Sequence, residues 1–200
     1  MKKLAILISD AGTGTNLQAI IDAVKTKKLK AKIELVVSSS KDALGLKKAQ
    51  ENKILTMVVD KKNDLKKIFE DNQIDLIVLA GWKLIIPQSL ISAFKNKILN
   101  LHPGLIPDKM EGVALNPDKT NGLWNRGKLT DIAIKNFLDK KATYAGSTVH
   151  FLSNEFDFGK ILNRCFEKIL PNDTLESLYK RLKKKENKIY VESLKHLCNK

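Results

Sequence analysis

Asn100 and His102 stand two positions apart in ILNLHPGLIPD, residues 98–108, and a Pro-Gly turn follows them at once. In a strand, residues two apart share one face, so an amide and an imidazole would lie side by side. Pro103 has no N–H to donate and stops the ladder there. The pair therefore falls at a strand's C-terminal end, where open α/β sheets place their ligands. An amide N–H can stabilise a developing oxyanion, and an imidazole can carry a proton near neutral pH. The plain alternative for His102 is a core histidine satisfied by backbone.

A second chemical signal is SDAGTGTNLQAII, residues 9–21, a glycine-bearing loop that opens onto a helical pattern. Gly12 and Gly14 let backbone N–H groups converge, and the helix N-terminus behind them adds partial positive charge, which together make a phosphate seat. No Gly-Lys-Ser/Thr follows, so it is not a P-loop, and Leu17 holds the third glycine position of a dinucleotide fingerprint. The run Ser38-Ser39-Ser40-Lys41 lacks a ribose-binding acid but suits a 2′-phosphate, which keeps an NADP-binding reductase open. The simpler reading is a tight turn with Thr15 or Asn16 as N-cap.

The loop NEFDFG carries Glu155 and Asp157 before Gly159, and Asp157 matters only if the fold brings it to His102. His150 falls inside a strand-like run and reads as structural; His196 sits in a lysine-rich terminal helix and reads as surface. With no HExxH or HxH grouping, no metal is expected. Cys165 and Cys198 offer neither a disulfide framework nor metal spacing.

The elements that must position these residues alternate through the first half. KLAILIS, AKIELVVSSS, ILTMVVD, IDLIVLAGW and KILNLHP read as strands; helical patterns lie between them. Leu17, Ile20, Ile21 and Val24 would share one face of the first helix. Asp42 is a plausible cap for the second, and Pro87 opens the fourth. Such alternation predicts an α/β fold: a doubly wound, mostly parallel sheet with helices on both faces. From Asp108 to about Thr143 the chain is polar, with turn signals at Asn116-Pro117-Asp118 and Asn121-Gly122 and one helical patch, LTDIAIKNFLDKK. GSTVHFLS and KILNRCFEKI read as two further strands. A long amphipathic helix, in one piece or two, runs from a cap at Asp173 or Thr174 to the end.

Two hundred residues are enough for one domain with a substantial core. No apolar run reaches the roughly 18 residues of a membrane span, and the start MKKLAILISD reads as a buried strand rather than a signal peptide. The cytoplasm is the expected compartment. A net charge of +14 raises a nucleic-acid partner, but of 36 basic residues only Arg126, Arg164 and Arg181 are arginines. Arginine is the side chain that forks onto guanine and phosphate, so a solvated lysine surface without specific nucleic-acid recognition is expected.

NLQAII after the Gly/Thr loop, LAGW after the fourth strand, NLHPGLIP, GSTVHFLSNEFDFG and the late KENKIY together resemble the folate-dependent formyltransferases. The closest resemblance is to the phosphoribosylglycinamide formyltransferases (glycinamide ribonucleotide transformylases) of purine biosynthesis. The similarity covers nearly the whole chain except about 108–143. It implies a single formyltransferase domain: residues 1–107 as the phosphate-binding half, 108–143 as a longer inserted segment, and 144–200 as a strand pair with the catalytic loop and final helix. It implies formyl transfer from 10-formyltetrahydrofolate to the amine of glycinamide ribonucleotide, with Asn100, His102 and Asp157 catalytic. Gly14, Thr15 and Asn16 would hold the phosphate, and Glu186 would lie near the substrate amine. Lys62, Trp82, Lys83, Leu84, Ile85 and Asn100 would bind the folate. Small-molecule partners, no membrane, and a monomer or homodimer follow.

Departures from the family pattern are a first loop two residues longer, Gly104 where serine is common, Leu84 where arginine is frequent, and Phe158 and Lys160 around Gly159. EGVALNPDKTNGLWNRG is longer than usual. An amino sugar nucleotide or Met-tRNA remains an alternative amine acceptor.

Overall fold

The structure, a computed structural model, describes residues 1–9, 14–60 and 64–199. Among them the chain runs β1 (Lys2–Ile8), α1 (Thr15–Lys25), β2 (Ala31–Ser38), α2 (Leu44–Glu51), β3 (Leu55–Val58), α3 (Leu65–Asp71) and β4 (Leu76–Leu79). It continues through α4 (Gln88–Ala93), β5 (Ile98–His102), α5 (Thr130–Asp139), β6 (Tyr144–Phe151), β7 (Ile161–Lys168) and α6 (Leu175–Cys198). The strands form a seven-stranded sheet in the order β3-β2-β1-β4-β5-β6-β7. The doubly wound α/β fold expected from the alternating pattern is the one observed. The chain divides into two compact units, Met1–Asn100 with Val191–Lys200, and Leu101–Tyr190.

In the first unit β1 pairs in parallel with β2 and β4, β2 with β3, and β4 with β5. Leu4 to Ile8 are essentially inaccessible, as central parallel strands covered on both faces must be. Leu17, Ile20 and Ile21 of α1 recur at helical spacing and bury their side chains. Each contributes about 1.5–3 kcal/mol of apolar burial. Asp64 caps α3 by accepting a hydrogen bond from the Lys67 N–H at 3.1 Å. The expected cap at Asp42 is not formed: α2 begins later, after Ala43, and the Asp42 N–H instead donates to Ser40 Oγ in the preceding turn. β4 also ends sooner than its apolar run, because Gly81 at φ 90° turns the chain.

In the second unit β6 and β7 pair antiparallel, with a register shift between Val149 and His150. The turn after His102 is fastened to this pair by Thr148, whose hydroxyl donates to Gly104 O and accepts from the Ile106 N–H. Arg164 adds two hydrogen bonds to Ile106 O. The last helix is continuous, without a break. Thr174 and Ser177 cap it reciprocally, each hydroxyl accepting from the other's N–H. Asp173 is engaged instead by Arg181.

Candidate active site

The second unit brings together His102, at its start, and Asp157, from the loop between β6 and β7. His102 Nδ1 lies 3.6 Å from Asp157 Oδ1, with the His102 side chain 2% exposed and that of Asp157 17% exposed. This is an ion-pair distance rather than a hydrogen bond. Burial opposes ionisation of Asp157, but the facing His102 ring and the Gly127 N–H outweigh it and hold the carboxyl below its ordinary value. His150 packs edge-on against His102, ring centroids 6.4 Å apart, and donates from Nδ1 to Phe151 O. Burial, with the charge of His102, pushes His150 down to about 4, so it stays neutral near pH 7. The structural reading of His150 is the one the geometry supports.

The sequence does not announce a third participant, the segment Trp124–Gly127. Trp124 O accepts a hydrogen bond from His102 Nε2 at 2.7 Å, and the Gly127 N–H donates to Asp157 Oδ2 at 2.7 Å. The Trp124 indole N–H reaches Asp157 O, and Arg126 Nε reaches Phe156 O. Buried Asn125 ties the same segment to Pro103 O and to α5, through Ala133 O and Asn136. Asp157 takes the left-handed conformation, φ 49°, which non-glycine residues adopt infrequently. One available signal was Gly104, where a glycine replaces a serine: a Cβ there would lie 1.8 Å from Trp124 O.

Glu186 is 2% exposed and accepts from the Ser147 hydroxyl at 2.6 Å. Its other oxygen lies 3.2 Å from Lys183 Nζ but accepts no well-directed hydrogen bond. Burial opposes the charge of Lys183, and Glu186 more than compensates, so its ammonium is held above the ordinary lysine value.

In the first unit Gly14 is the residue before α1, at φ 67° and ψ 23°, and has no side chain with which to cap the helix. Neither Thr15 nor Asn16 is the N-cap; both lie inside the helix. Thr15 Oγ1 and Asn16 Oδ1 are buried without a hydrogen-bond partner. A helix N-terminus without a side-chain cap at Gly14 favours an anion. Lys48 of α2, unnoticed in the sequence, runs its side chain within 3.4 Å of where a Gly14 Cβ would stand. Gly12 and Lys62 lie outside the described residues.

The C-terminal ends of three strands are tied through Ser9, whose hydroxyl bonds that of Ser39 at 2.7 Å and accepts from the Lys83 N–H at 3.1 Å. Ser38 and Ser40 bond one another within their turn. These serines are thus engaged internally, which removes the motivation for a 2′-phosphate site. Beyond β4, Leu84 is 38% exposed and Ile85 85% exposed, while the Trp82 indole N–H is buried without a partner. Exposed apolar groups beside an orphaned donor fit a flat, partly polar ligand. Asn100 is half-buried, paired opposite Leu79, on the same strand as His102.

Among the described residues no group of three or more His, Cys, Asp or Glu is placed to hold a metal ion. None of their helices is long and apolar enough to cross a membrane. A groove of about 1050 Å³ lies where β2 begins, floored by Ile21, Leu29 and Ile54, and contains none of the candidate site residues.

Residues 2–194 match the formyl transferase family. The phosphoribosylglycinamide formyltransferase of Dictyostelium discoideum is 35% identical over 219 residues, covering 98% of each chain. That of Haemophilus influenzae is 36% identical over 199 residues, covering 95% of this chain and 84% of its own. Among solved structures, glycinamide ribonucleotide transformylase 1 from Symbiobacterium toebii is similar with a TM-score of 0.84 and 28% identity, covering 100% of this chain and 88% of that one. The likeness thus extends through the His102 turn, the Asp157 loop and the elements that hold them, and this chain belongs to the formyl transferase family.

Proposed function

We propose that this chain is a phosphoribosylglycinamide formyltransferase. It transfers the formyl group of 10-formyltetrahydrofolate to the amine of glycinamide ribonucleotide in de novo purine biosynthesis. The observation that carries this reading is the approach of Asp157 to His102 in a chain related end to end to enzymes of that name.

Formyl transfer passes through a tetrahedral oxyanion and must also remove a proton from the attacking amine. Asn100 supplies an amide N–H toward the oxyanion. The Asp157 carboxylate with the facing His102 imidazole accepts and returns the proton, through water. The amine–carbon bond forms first, giving the oxyanion; its collapse breaks the bond from the formyl carbon to the folate nitrogen, and that nitrogen takes the proton. No covalent intermediate is needed. The chain also offers no thiolate for one: burial pushes Cys165 up to about 12 and Cys198 up to about 11.

Gly14, Thr15 and Asn16 seat the substrate phosphate, supported by the orphaned Thr15 hydroxyl, which has a proton to donate, at the uncapped start of α1. Glu186 Oε2, which lies 3.2 Å from Lys183 Nζ but accepts no well-directed hydrogen bond, is the oxygen of that side chain that would take the substrate amine. Trp82, Lys83, Leu84, Ile85 and Asn100 line the folate site; Lys62, the remaining residue the resemblance implies there, lies outside the described residues. The test is a steady-state assay of the purified chain with both substrates, following folate absorbance. Turnover that requires both substrates supports the reading; folate consumption independent of glycinamide ribonucleotide overturns it.

A further inference from the structure

Both nitrogens of His102 face acceptors, and this limits where its protons can be. Trp124 O is a carbonyl and can only accept, so at 2.7 Å the hydrogen of that contact resides on Nε2. A neutral His102 is therefore the Nε2–H tautomer, with the lone pair of Nδ1 turned toward Asp157 Oδ1. Two electron-rich atoms then oppose each other unless a proton lies on one of them. The next proton taken up by the pair is thus driven to the Nδ1–Oδ1 edge.

The second carboxylate oxygen is already committed to the Gly127 N–H, which turns Oδ1 toward the ring. The same segment grips the backbone of the Asp157 loop through the Trp124 indole and Arg126. Arg126 stacks over the indole at 5.1 Å, and Phe158 packs against it with ring centroids 5.8 Å apart. The close approach of Trp124 O exists because residue 104 has no Cβ. Among the described residues, the titratable groups that face His102 are Asp157 from its loop and His150 from β6. With His150 neutral, Asp157 is the group that answers to the state of His102.

We propose that Trp124 and Gly127 are positioning residues for the reaction: they anchor His102 Nε2–H and Asp157 Oδ2 and so confine the mobile proton to the Nδ1–Oδ1 edge. Asp157, the more exposed partner, is then the side of the pair presented to the reacting groups. This rests on the formyl-transfer reading for its purpose, though not for its geometry.

The experiment is nitrogen-15 NMR of the full chain labelled at its three histidines, read alongside kinetics. Neutral His102 should show the Nε2–H tautomer. Gly104→Ala should push Trp124 O away, mix the tautomers and lower kcat by roughly 10–100-fold, the usual cost of a misplaced catalytic group. The KM for glycinamide ribonucleotide should change less than about threefold, because the lost interaction is felt in the transition state. Trp124→Phe keeps the carbonyl and loses only the indole N–H, so its tautomer should match the parent and its kcat fall less. A parent whose neutral His102 carries Nδ1–H would overturn the proposal, as would a Gly104→Ala protein with displaced tautomer and undiminished kcat. If that variant does not fold, the parent tautomer still decides. An inactive parent with Nε2–H would count against the formyl-transfer reading and leave the anchor in place.

Discussion

Asp157→Asn removes one charge and almost nothing else. The amide is isosteric with the carboxylate, and its oxygen can still accept from the Gly127 N–H, so the loop and the left-handed backbone at residue 157 should persist. What disappears is the negative charge 3.6 Å from His102 Nδ1. At an effective dielectric of about 20, two unit charges at that separation attract by about 4–5 kcal/mol. If most of that attraction is present in the transition state, kcat falls by about 10³-fold, inside the range typical of acid–base groups. The KM values should move less than about threefold, since the charge is not asked to bind either substrate in the ground state. Initial rates at saturating folate and glycinamide ribonucleotide measure this, with urea unfolding run in parallel to verify the fold. A stably folded Asp157→Asn protein whose kcat lies within about threefold of the parent would refute the reasoning, because the charge would then do no chemistry.

Gly14→Ala should weaken glycinamide ribonucleotide selectively in titration calorimetry, because φ 67° costs an alanine about 1–2 kcal/mol and its Cβ meets Gly45 and Lys48; folate affinity should hold. The Arg181 guanidinium hydrogen-bonds both oxygens of Asp173 and holds its carboxyl well below the usual carboxylate range. A depressed native value means that the stabilisation is complete above the unfolded pKa of about 4 and fades as pH falls below it. Asp173→Asn should therefore flatten the acid side of a urea-midpoint profile, and an unchanged profile would contradict the pairing. RNA and duplex DNA should bind weakly in fluorescence anisotropy and lose affinity steeply with salt, as scattered lysines predict, while turnover changes little; tight, sequence-selective binding at near-physiological salt would reverse that reading of the charge.

The parallel half of the fold was legible because buried strands and one-faced helices leave periodic signatures. Leu4 to Ile8 and the Leu17, Ile20, Ile21 stripe behave as their spacing predicts. End points were less legible. An aspartate before a helix is a cap only at the position from which the helix starts, and α2 starts from Ala43, one residue later than Asp42. The apolar run of β4 continued past its end because Ala80 is buried whether or not it is in the ladder.

At the site, Asn100 and His102 were visible as neighbours because strand alternation is local. The approach of Asp157 required the resemblance, since nothing in NEFDFG distinguishes it from a solvated loop carboxylate. The hold of Trp124 on His102 was invisible for a different reason. It is made by a backbone carbonyl, which every residue has, so the only trace in the sequence is the missing Cβ at Gly104.

Product identity tests the central claim most directly. The purified chain is incubated with 10-formyltetrahydrofolate and an equimolar mixture of glycinamide ribonucleotide and an amino sugar nucleotide, and the products are read by mass spectrometry. The account predicts that glycinamide ribonucleotide gains one CO unit in step with tetrahydrofolate formation, that the sugar nucleotide stays unmodified, and that His102→Ala abolishes the gain. Formylation of the sugar nucleotide in preference, or release of free formate with neither amine modified, would contradict it.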